Sequence, residues 1–307
     1  MTRTAIITAD IELSNFPGEQ GLWGRIGAES WGLPRLLDEL RDLGVPATMF
    51  VDVYGAASTA RAAQEQACLL IKEYGQDLQL HTHPGLAFDP KREQLRDYSF
   101  DEQLQIVAFG RDRIRQWTGV EASVHRAGDW AANADTLRAL HELDFAADFS
   151  ASAWSRSCGI PGAAHMGNGW QLIEGMLCAA GTCYRDRLTG RVRRMDLGGV
   201  SMAEIRDCIR GAIDPLILTP HSFSLMRFNQ ARTRFRPDFD YVRRLRRYVR
   251  LVQEAGYRFL PASEAAADAR AKLERHPAMQ PLPVSSLPAS ISGVAKSLAE
   301  RARARLA

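Results

Sequence analysis

Strand and helix patterns alternate along most of this chain, and this alternation restricts the fold more than any other feature of the sequence. Short apolar runs rich in β-branched residues are followed by segments whose apolar residues recur at helical spacing. In residues 31–44, for example, four leucines share one helical face and Gly44 ends the segment. About seven such alternations predict a parallel α/β architecture. A (β/α) barrel explains their number better than an open, doubly wound sheet.

The same periodicity locates the individual elements. It predicts strands at residues 4–8, 46–53, 77–82, 121–126, 145–150 and 215–221. It predicts helices at residues 31–44, 57–75, 100–119, 133–144, 201–212 and 239–256. Short strands or loop edges are expected at residues 170–175, 181–186 and 191–197, and a last strand is expected to begin at residue 257.

The composition agrees with such a domain and argues against several other classes of protein. The chain has 307 residues, of which 46% are hydrophobic and 24% charged, as in ordinary globular proteins, and its net charge of +3 gives no reason to expect nucleic-acid binding. No apolar run approaches the roughly 20 residues that a membrane-spanning helix needs. Five cysteines without a C-x-x-C pair indicate reduced, mostly buried thiols. Because the first residues also lack the pattern of a secretory signal, we expect a cytoplasmic protein.

The last part of the chain differs in composition from the rest. From about residue 276 the sequence is rich in Pro and Ser, which is typical of a linker, and residues 291–307 follow with apolar and basic residues at helical spacing. We therefore divide the chain into a barrel domain, residues 1–270, and a linker with a basic C-terminal helix, residues 271–307. This helix either packs on the domain or touches a membrane surface or a partner.

Polar side chains stand where the predicted strands end. In a (β/α) barrel the loops that follow the strands gather at one mouth, so residues at strand ends come together there. The residues at these positions are Asp10, Glu12, His81, His83, Arg126, Asp148 and His221. Each of them alone is weak evidence, but their shared placement predicts a functional site.

These side chains have the chemistry of a hydrolytic metal site. Two neutral imidazoles and one carboxylate can hold zinc or a similar divalent ion and leave one position open for water. A second carboxylate can take a proton from that water, and a separate histidine can donate one to a leaving group. Structural roles stay open as well, since Asp10 and Glu12 could cap a helix and His81 or His83 alone would more often be structural. A structural role is expected for His125, His141, His165 and His276.

The segments around these residues resemble, in the same order, the motifs of the polysaccharide deacetylases, the NodB-homology domain of carbohydrate esterase family 4. "TADIE" (8–12) is similar to the first motif and "HTHP" (81–84) to a shortened second motif. "HRAGDWAAN" (125–133) resembles the third, "DFSASAW" (148–154) the fourth and "LILTPHSFSL" (216–225) the fifth. The resemblance covers most of the predicted barrel and implies the NodB-like deacetylase fold, a distorted, TIM-like (β/α)7 barrel.

The resemblance also implies a catalytic role for several of these residues. Asp10 would be the general base, and Arg126 would orient it and balance its charge. His221 would be the general acid that protonates the departing amine, and Asp148 would keep its imidazole charged and aligned.

The resemblance further implies the ligands of a divalent metal ion, most often Zn²⁺, with Co²⁺, Ni²⁺ or Mn²⁺ as alternatives. His81 and His83 would be ligands, although the family usually spaces these histidines four residues apart. The family also has adjacent aspartates in the first motif, whereas Ile11 follows Asp10 here. Because isoleucine cannot ligate a metal, we assign the carboxylate ligand to Glu12.

The substrate pocket would be formed by the loops after the third and fourth motifs. A backbone N–H group in residues 128–130, around Asp129, would hold the oxyanion together with the metal. Trp130, Trp154 and Leu225 would form the wall of the acyl pocket, although core packing is an equally good explanation for each of them.

The resemblance therefore implies a metal-dependent deacetylase that removes the N-acetyl group of an amino sugar. In the cytoplasm the substrate would be a glycan precursor, such as a lipid-linked sugar, a nucleotide sugar or a small glycoside. The basic C-terminal helix favours contact with the inner face of the membrane. Two alternatives stay open, a deformylase or other small-amide C–N hydrolase of the same superfamily, and an inactive carbohydrate-binding domain.

Overall fold

The computed structural model describes residues 2–13, 19–229, 232–273 and 280–306. Its strands are β1 Arg3–Ile11, β2 Arg25–Ile26, β3 Glu29–Ser30, β4 Thr48–Asp52, β5 Asp77–Thr82, β6 Val124–Ala127, β7 Ala147–Asp148, β8 Trp170–Ile173, β9 Met176–Ala179, β10 Cys183–Arg185, β11 Val192–Arg194, β12 Leu216–Leu218, β13 Met226–Phe228, β14 Phe235–Pro237 and β15 Tyr257–Phe259. Its helices are α1 Gln20–Trp23, α2 Leu33–Leu43, α3 Ser58–Glu73, α4 Phe100–Thr118, α5 Ala134–Glu142, α6 Met202–Arg210, α7 Phe239–Glu254, α8 Ala262–Leu273 and α9 Leu287–Leu306. The strands and helices predicted from the periodicity are all present, with somewhat different bounds.

The main sheet is built around β1, which pairs with β12, β15 and β4. The order along the sheet is β12-β1-β4-β5-β6-β7-β9-β8, with β15 beside the start of β1. Neighbouring strands are parallel, except that β8 runs antiparallel to β9. The sheet curls into an incomplete barrel surrounded by helices, which confirms the predicted distorted (β/α) barrel.

The two faces of the curled sheet bury different cores. On the outer face, alternate residues of β1 such as Ile7 and Ile11 pack against the surrounding helices. On the inner face, Ile6, Phe50 and Phe149 pack with the alanines of α8. Helix α8 starts beside the amino ends of β4 and β5, where it is bound by hydrogen bonds to these strands. The apolar filling thus occupies the amino end of the barrel, and polar inner residues stand at the carboxyl mouth.

Side-chain caps fix the starts of the helices on both sides of this mouth. Three of the described helices begin with a capping box. In this motif the N-cap side chain accepts a hydrogen bond from the backbone N–H of the third helical residue, whose side chain accepts one from the backbone N–H of the N-cap residue. The boxes are Ser99 with Glu102 at α4, Asn133 with Thr136 at α5, and Ser201 with Glu204 at α6. Satisfied N–H groups at these ends hold the loops before the helices in place.

The segment after residue 279 packs on the barrel rather than extending away from it. Gln280 forms a β-bridge with Asn168, and Val284 forms one with Arg185. Helix α9 lies against α6, while its residues Ile291, Val294 and Leu298 are exposed. The predicted linker residues 274–279, with His276, lie outside the described residues, and the division of the chain at residue 270 stays a prediction. Among the described helices, none combines the length and the apolar character that spanning a bilayer requires.

Candidate metal centre

The register of the central strands places four polar side chains in one row on the inner face. Asp52 of β4 lies opposite His81 of β5, and His81 lies opposite Arg126 of β6. Because Asp10 lies opposite Phe50, the next inner positions of these two strands are Glu12 and Asp52. Residues paired across parallel strands point to the same face. The row at the carboxyl mouth is therefore Glu12, Asp52, His81 and Arg126.

The predicted ligands converge at this row. Glu12 Oε1 is 3.0 Å from His81 Nε2 and 3.3 Å from His83 Nε2. His81 Nδ1 donates to the carbonyl oxygen of Arg126 at 2.8 Å, which leaves its Nε2 available as a ligand atom. Ligand atoms of these three residues lie within 4.8 Å of one another, as do those of a second set, Asp10, Glu12 and His221. The nitrogen and oxygen donors suit zinc and similar divalent ions.

Burial and hydrogen bonding have opposite effects on the pKa values of Glu12 and His83. Burial alone would raise the pKa of Glu12, but hydrogen bonds from His81 and His83 hold it well below its ordinary value. Burial alone would lower the pKa of His83, but its hydrogen bond to Glu12 and that residue's charge raise the pKa to about 9. Without a metal, protonated His83 therefore balances the charge of Glu12. A divalent cation would replace the proton of His83.

Asp10 and Arg126 form a buried ion pair next to the three predicted ligands. Arg126 Nη1 donates to Asp10 Oδ1 at 2.6 Å, its Nη2 donates to Thr8, and its guanidinium lies 4.3 Å from the centre of the Phe50 ring. Burial raises the pKa of Asp10, but the charges of Arg126, His81 and His221 together outweigh this effect, and the net pKa is lowered. Asp10 is thus ionised and held in one orientation, as predicted for a base.

His221 reaches the other oxygen of Asp10. Its Nε2 is 3.8 Å from Asp10 Oδ2, and its ring packs at 4.8 Å from that of Phe223. A β-bridge joins Asp10, near the end of β1, to His221 in the loop after β12. It includes hydrogen bonds from Asp10 N to Pro220 O and from Ser222 N to Asp10 O. The backbone therefore positions this histidine beside the predicted base.

Asp148 does not take the position that the sequence predicts for it. His125 Nδ1 lies 2.8 Å from Asp148 Oδ2, and Ser150 donates to both carboxylate oxygens. In β6 and β7 the side chains of Val124, Arg126 and Phe149 face inward, so His125 and Asp148 face outward. The expected pairing of Asp148 with His221 is therefore replaced by a buried pair with His125 behind the sheet. The structural role predicted for His125 agrees with this contact.

The predicted pocket residues are divided between the mouth and the core. Trp130 and Trp154 contact each other at 4.5 Å between ring centres, and the guanidinium of Arg194 lies 4.8 Å from each ring. Asp129 and Trp130 both have a left-handed backbone, directly after Gly128, whose Cα lies against the His83 ring. Leu225, in contrast, is fully buried in the hydrophobic core, which favours packing over substrate contact.

Sequence reasoning missed two residues of this centre. Asp52 lies at the end of a predicted strand, so the rule that found the histidines would also have found it. Gly128 gives the His83 ring its space, because a Cβ there would lie 2.3 Å from that ring. Nothing in the sequence pattern indicates this close approach, since it joins two separate loops.

Comparison with solved structures finds proteins of similar fold. A protein of Mycobacterium smegmatis whose assignment as a polysaccharide deacetylase is itself provisional is 18% identical over 93% of each chain, with a TM-score of 0.57. A carbohydrate esterase family 4 pseudoenzyme from Bacillus anthracis is 12% identical over 86% of this chain and 66% of its own, with a TM-score of 0.46. The catalytic domain of a peptidoglycan N-acetylglucosamine deacetylase from Eubacterium rectale is 13% identical over 86% of this chain and 90% of its own, with a TM-score of 0.45.

No protein-family model matches the chain, and no curated protein matches it significantly. At 18% identity the likeness to the Mycobacterium smegmatis protein shows the fold and not the reaction. It confirms the NodB-like barrel that the order of the motifs predicts.

Proposed function

We propose that this chain is a divergent polysaccharide deacetylase, a metal-dependent hydrolase that removes the N-acetyl group of an amino sugar. The observation that carries this proposal is the convergence of Glu12, His81 and His83 beside the Asp10–Arg126 pair and His221. A ligand set, an oriented base and a separate imidazole at one barrel mouth are the parts that amide hydrolysis needs.

Each residue has a distinct part in the proposed reaction. A divalent cation held by Glu12, His81 and His83 would supply the Lewis acid that polarises the amide carbonyl and activates water. Asp10 is fixed through one oxygen by Arg126, so its other oxygen is the one that accepts the proton of the attacking water. His221, whose Nε2 lies 3.8 Å from that oxygen, donates a proton to the departing nitrogen.

The cluster of Trp130, Trp154 and Arg194 favours a glycan precursor that carries phosphate as the substrate. Trp154 Nε1 and Arg194 Nη1 are buried donors without an acceptor among the described residues. Buried donors usually have a partner, so a substrate with acceptor oxygens fits this place. A nucleotide sugar or a lipid-linked sugar has such oxygens next to the sugar ring. A substrate of this kind also agrees with a site in the cytoplasm or at the inner membrane face.

Release of acetate from a panel of N-acetylhexosamine glycosides and sugar nucleotides tests the proposal. We expect turnover that is lost with a chelator and restored by zinc or cobalt. Glu12→Gln should abolish turnover, whereas Glu73→Gln, at the exposed end of α3, should leave it unchanged. Release of formate or of another acyl group would show that the protein is a different amide hydrolase and not a deacetylase. Sugar binding without any turnover would identify a silent binding protein.

A further inference from the structure

Asp52 is a buried carboxylate beside the candidate metal centre, and neither the sequence motifs nor the predicted reaction gives it a role. It stands on the inner face between Glu12 and His81, one strand away from each. Its side chain is only 1% exposed, so bulk water does not solvate it. Any compensation for its charge must come from within the barrel mouth.

One of its oxygens has no partner. Asp52 Oδ1 accepts a hydrogen bond from the backbone N–H of Tyr54 at 3.0 Å, whereas Oδ2 is buried without a hydrogen-bond partner among the described residues. A buried acceptor left unpaired costs about 1–3 kcal/mol. A simple structural aspartate would be expected to use both oxygens, as Asp148 does with His125 and Ser150. The unpaired oxygen therefore indicates a ligand that binds in the mouth.

The charges around the mouth favour a divalent cation as this ligand. The charge of Asp10 is already balanced by Arg126, so Glu12 alone is left to balance a divalent cation. Asp52 lies directly opposite His81 in the pairing of β4 with β5, beside the groups that would hold the cation. Asp52 thus faces the same groups as the cation would, and its carboxylate supplies the second negative charge.

We propose that Asp52 is a positioning carboxylate of the metal centre. Its oxygens are not part of the ligand sets within 4.8 Å, so it does not replace Glu12, His81 or His83 as a ligand. Its free Oδ2 accepts a hydrogen bond from water in the centre, and its charge, added to that of Glu12, balances a divalent cation. This inference rests on the proposed metal-dependent function and adds a fourth residue to its centre.

Cobalt titration of the full-length metal-free protein tests this inference, with Asp52→Asn compared with Asp77→Asn. Asp77 is a matched control because it lies on the inner face of β5 at the opposite end from His81. We expect Asp52→Asn to weaken cobalt binding by about 10- to 100-fold and Asp77→Asn to leave it unchanged. Asp52→Glu, which keeps the charge, should recover part of the affinity.

Thermal unfolding of the same variants separates metal positioning from simple structural support. Asp52→Asn should leave the metal-free protein at least as stable as the wild type, because it removes a buried, half-satisfied carboxylate, and should reduce the stabilisation that cobalt adds. Cobalt binding as tight as in the wild type would overturn the inference. So would a loss of metal-free stability that accounts for the weaker binding.

The two proposals fail in different ways. Acetate release with unchanged cobalt affinity in Asp52→Asn would refute the role of Asp52 and leave the deacetylase standing. Weaker cobalt binding in Asp52→Asn, without acetate release from any substrate of the panel, would support the role of Asp52 and refute the deacetylase.

Discussion

At the scale of single residues, His83 and Glu12 make the stability of the metal-free protein depend on pH. The pKa of His83 is raised to about 9 in the folded state, above its ordinary value in the unfolded chain. The stability it contributes is therefore fully present below about pH 6.5 and is lost as the pH rises toward 9. The pKa of Glu12 is lowered in the folded state, so Glu12 stabilises the fold above about pH 4.5, and this stabilisation is lost as the pH falls into the acid range.

We therefore predict that the free energy of unfolding of the metal-free protein falls between about pH 6.5 and 9, and that cobalt affinity rises over the same range. Urea unfolding and cobalt titration at a series of pH values measure these changes. His83→Ala should flatten the alkaline fall in stability. A wild-type profile that is already flat would show that the bond between His83 and Glu12 does not form in solution.

The Asp10–Arg126 pair predicts a large loss of stability from a small substitution. Asp10→Ala leaves a guanidinium that is 1% exposed without its carboxylate, which typically costs about 3–5 kcal/mol. Asp97→Ala removes an exposed carboxylate and should change the stability by less than about 0.5 kcal/mol. Chemical denaturation measures both values. Equal, small effects would mean that Arg126 finds another partner, and the orientation proposed for Asp10 would then fail.

At the scale of secondary structure, the alternation of side chains along each strand determines which polar residues reach the site. Predicting that strands end near Asp10, His81 and Arg126 was enough to bring these residues together, because inner positions recur every second residue. The same reasoning failed for Asp148, because a shift of one position along a strand moves a side chain to the other face. A strand as short as β7 has too little hydrophobic pattern to reveal which of its residues faces inward.

The buried pair of Asp148 and His125, on the outer face of the sheet, should affect stability but not metal binding, which is the opposite of the prediction for Asp52. Asp148→Ala leaves His125 and Ser150 with buried, unpaired donors and should cost about 1–3 kcal/mol of stability. Cobalt affinity should not change, since the pair lies on the outer face. Denaturation and cobalt titration of one preparation give both values. Weaker cobalt binding without a loss of stability would contradict this prediction and indicate that Asp148 takes part in the metal centre.

At the scale of the whole molecule, the sequence predicts the barrel but not how it is filled. The strand–helix alternation is local, and it was sufficient for β1 and for β4 to β7 with their helices. Strand β9 was missed because "MLCA" is a short run that becomes a strand by pairing with β7 and β8. Helix α8 was missed because its alanines carry little amphipathic signal, although they fill the amino end of the barrel.

The C-terminal segment depends on one close contact with the rest of the molecule. At Gly293 of α9, a Cβ would lie 2.4 Å from Glu204 Oε1 of α6. That carboxylate cannot move aside easily, because it accepts hydrogen bonds from Tyr184, Arg193 and the backbone of Ser201. The packing of α9 thus requires glycine at position 293. The contact that causes this requirement is with Glu204, about 90 residues earlier in the sequence, so the sequence of α9 alone does not reveal it.

We predict that Gly293→Ala loosens α9 and lowers the free energy of unfolding by about 1–3 kcal/mol. Val294→Ala, at the next position and 42% exposed, should cost less than about 0.5 kcal/mol. Limited proteolysis should release the C-terminal segment sooner from the Gly293 variant than from the wild type, with cobalt affinity unchanged in the barrel that is left. If both variants were equally stable and equally resistant, α9 would not be held against Glu204 in solution. The C-terminal segment would then be an independent unit, as the division of the sequence at residue 270 supposes, rather than part of the barrel's own packing.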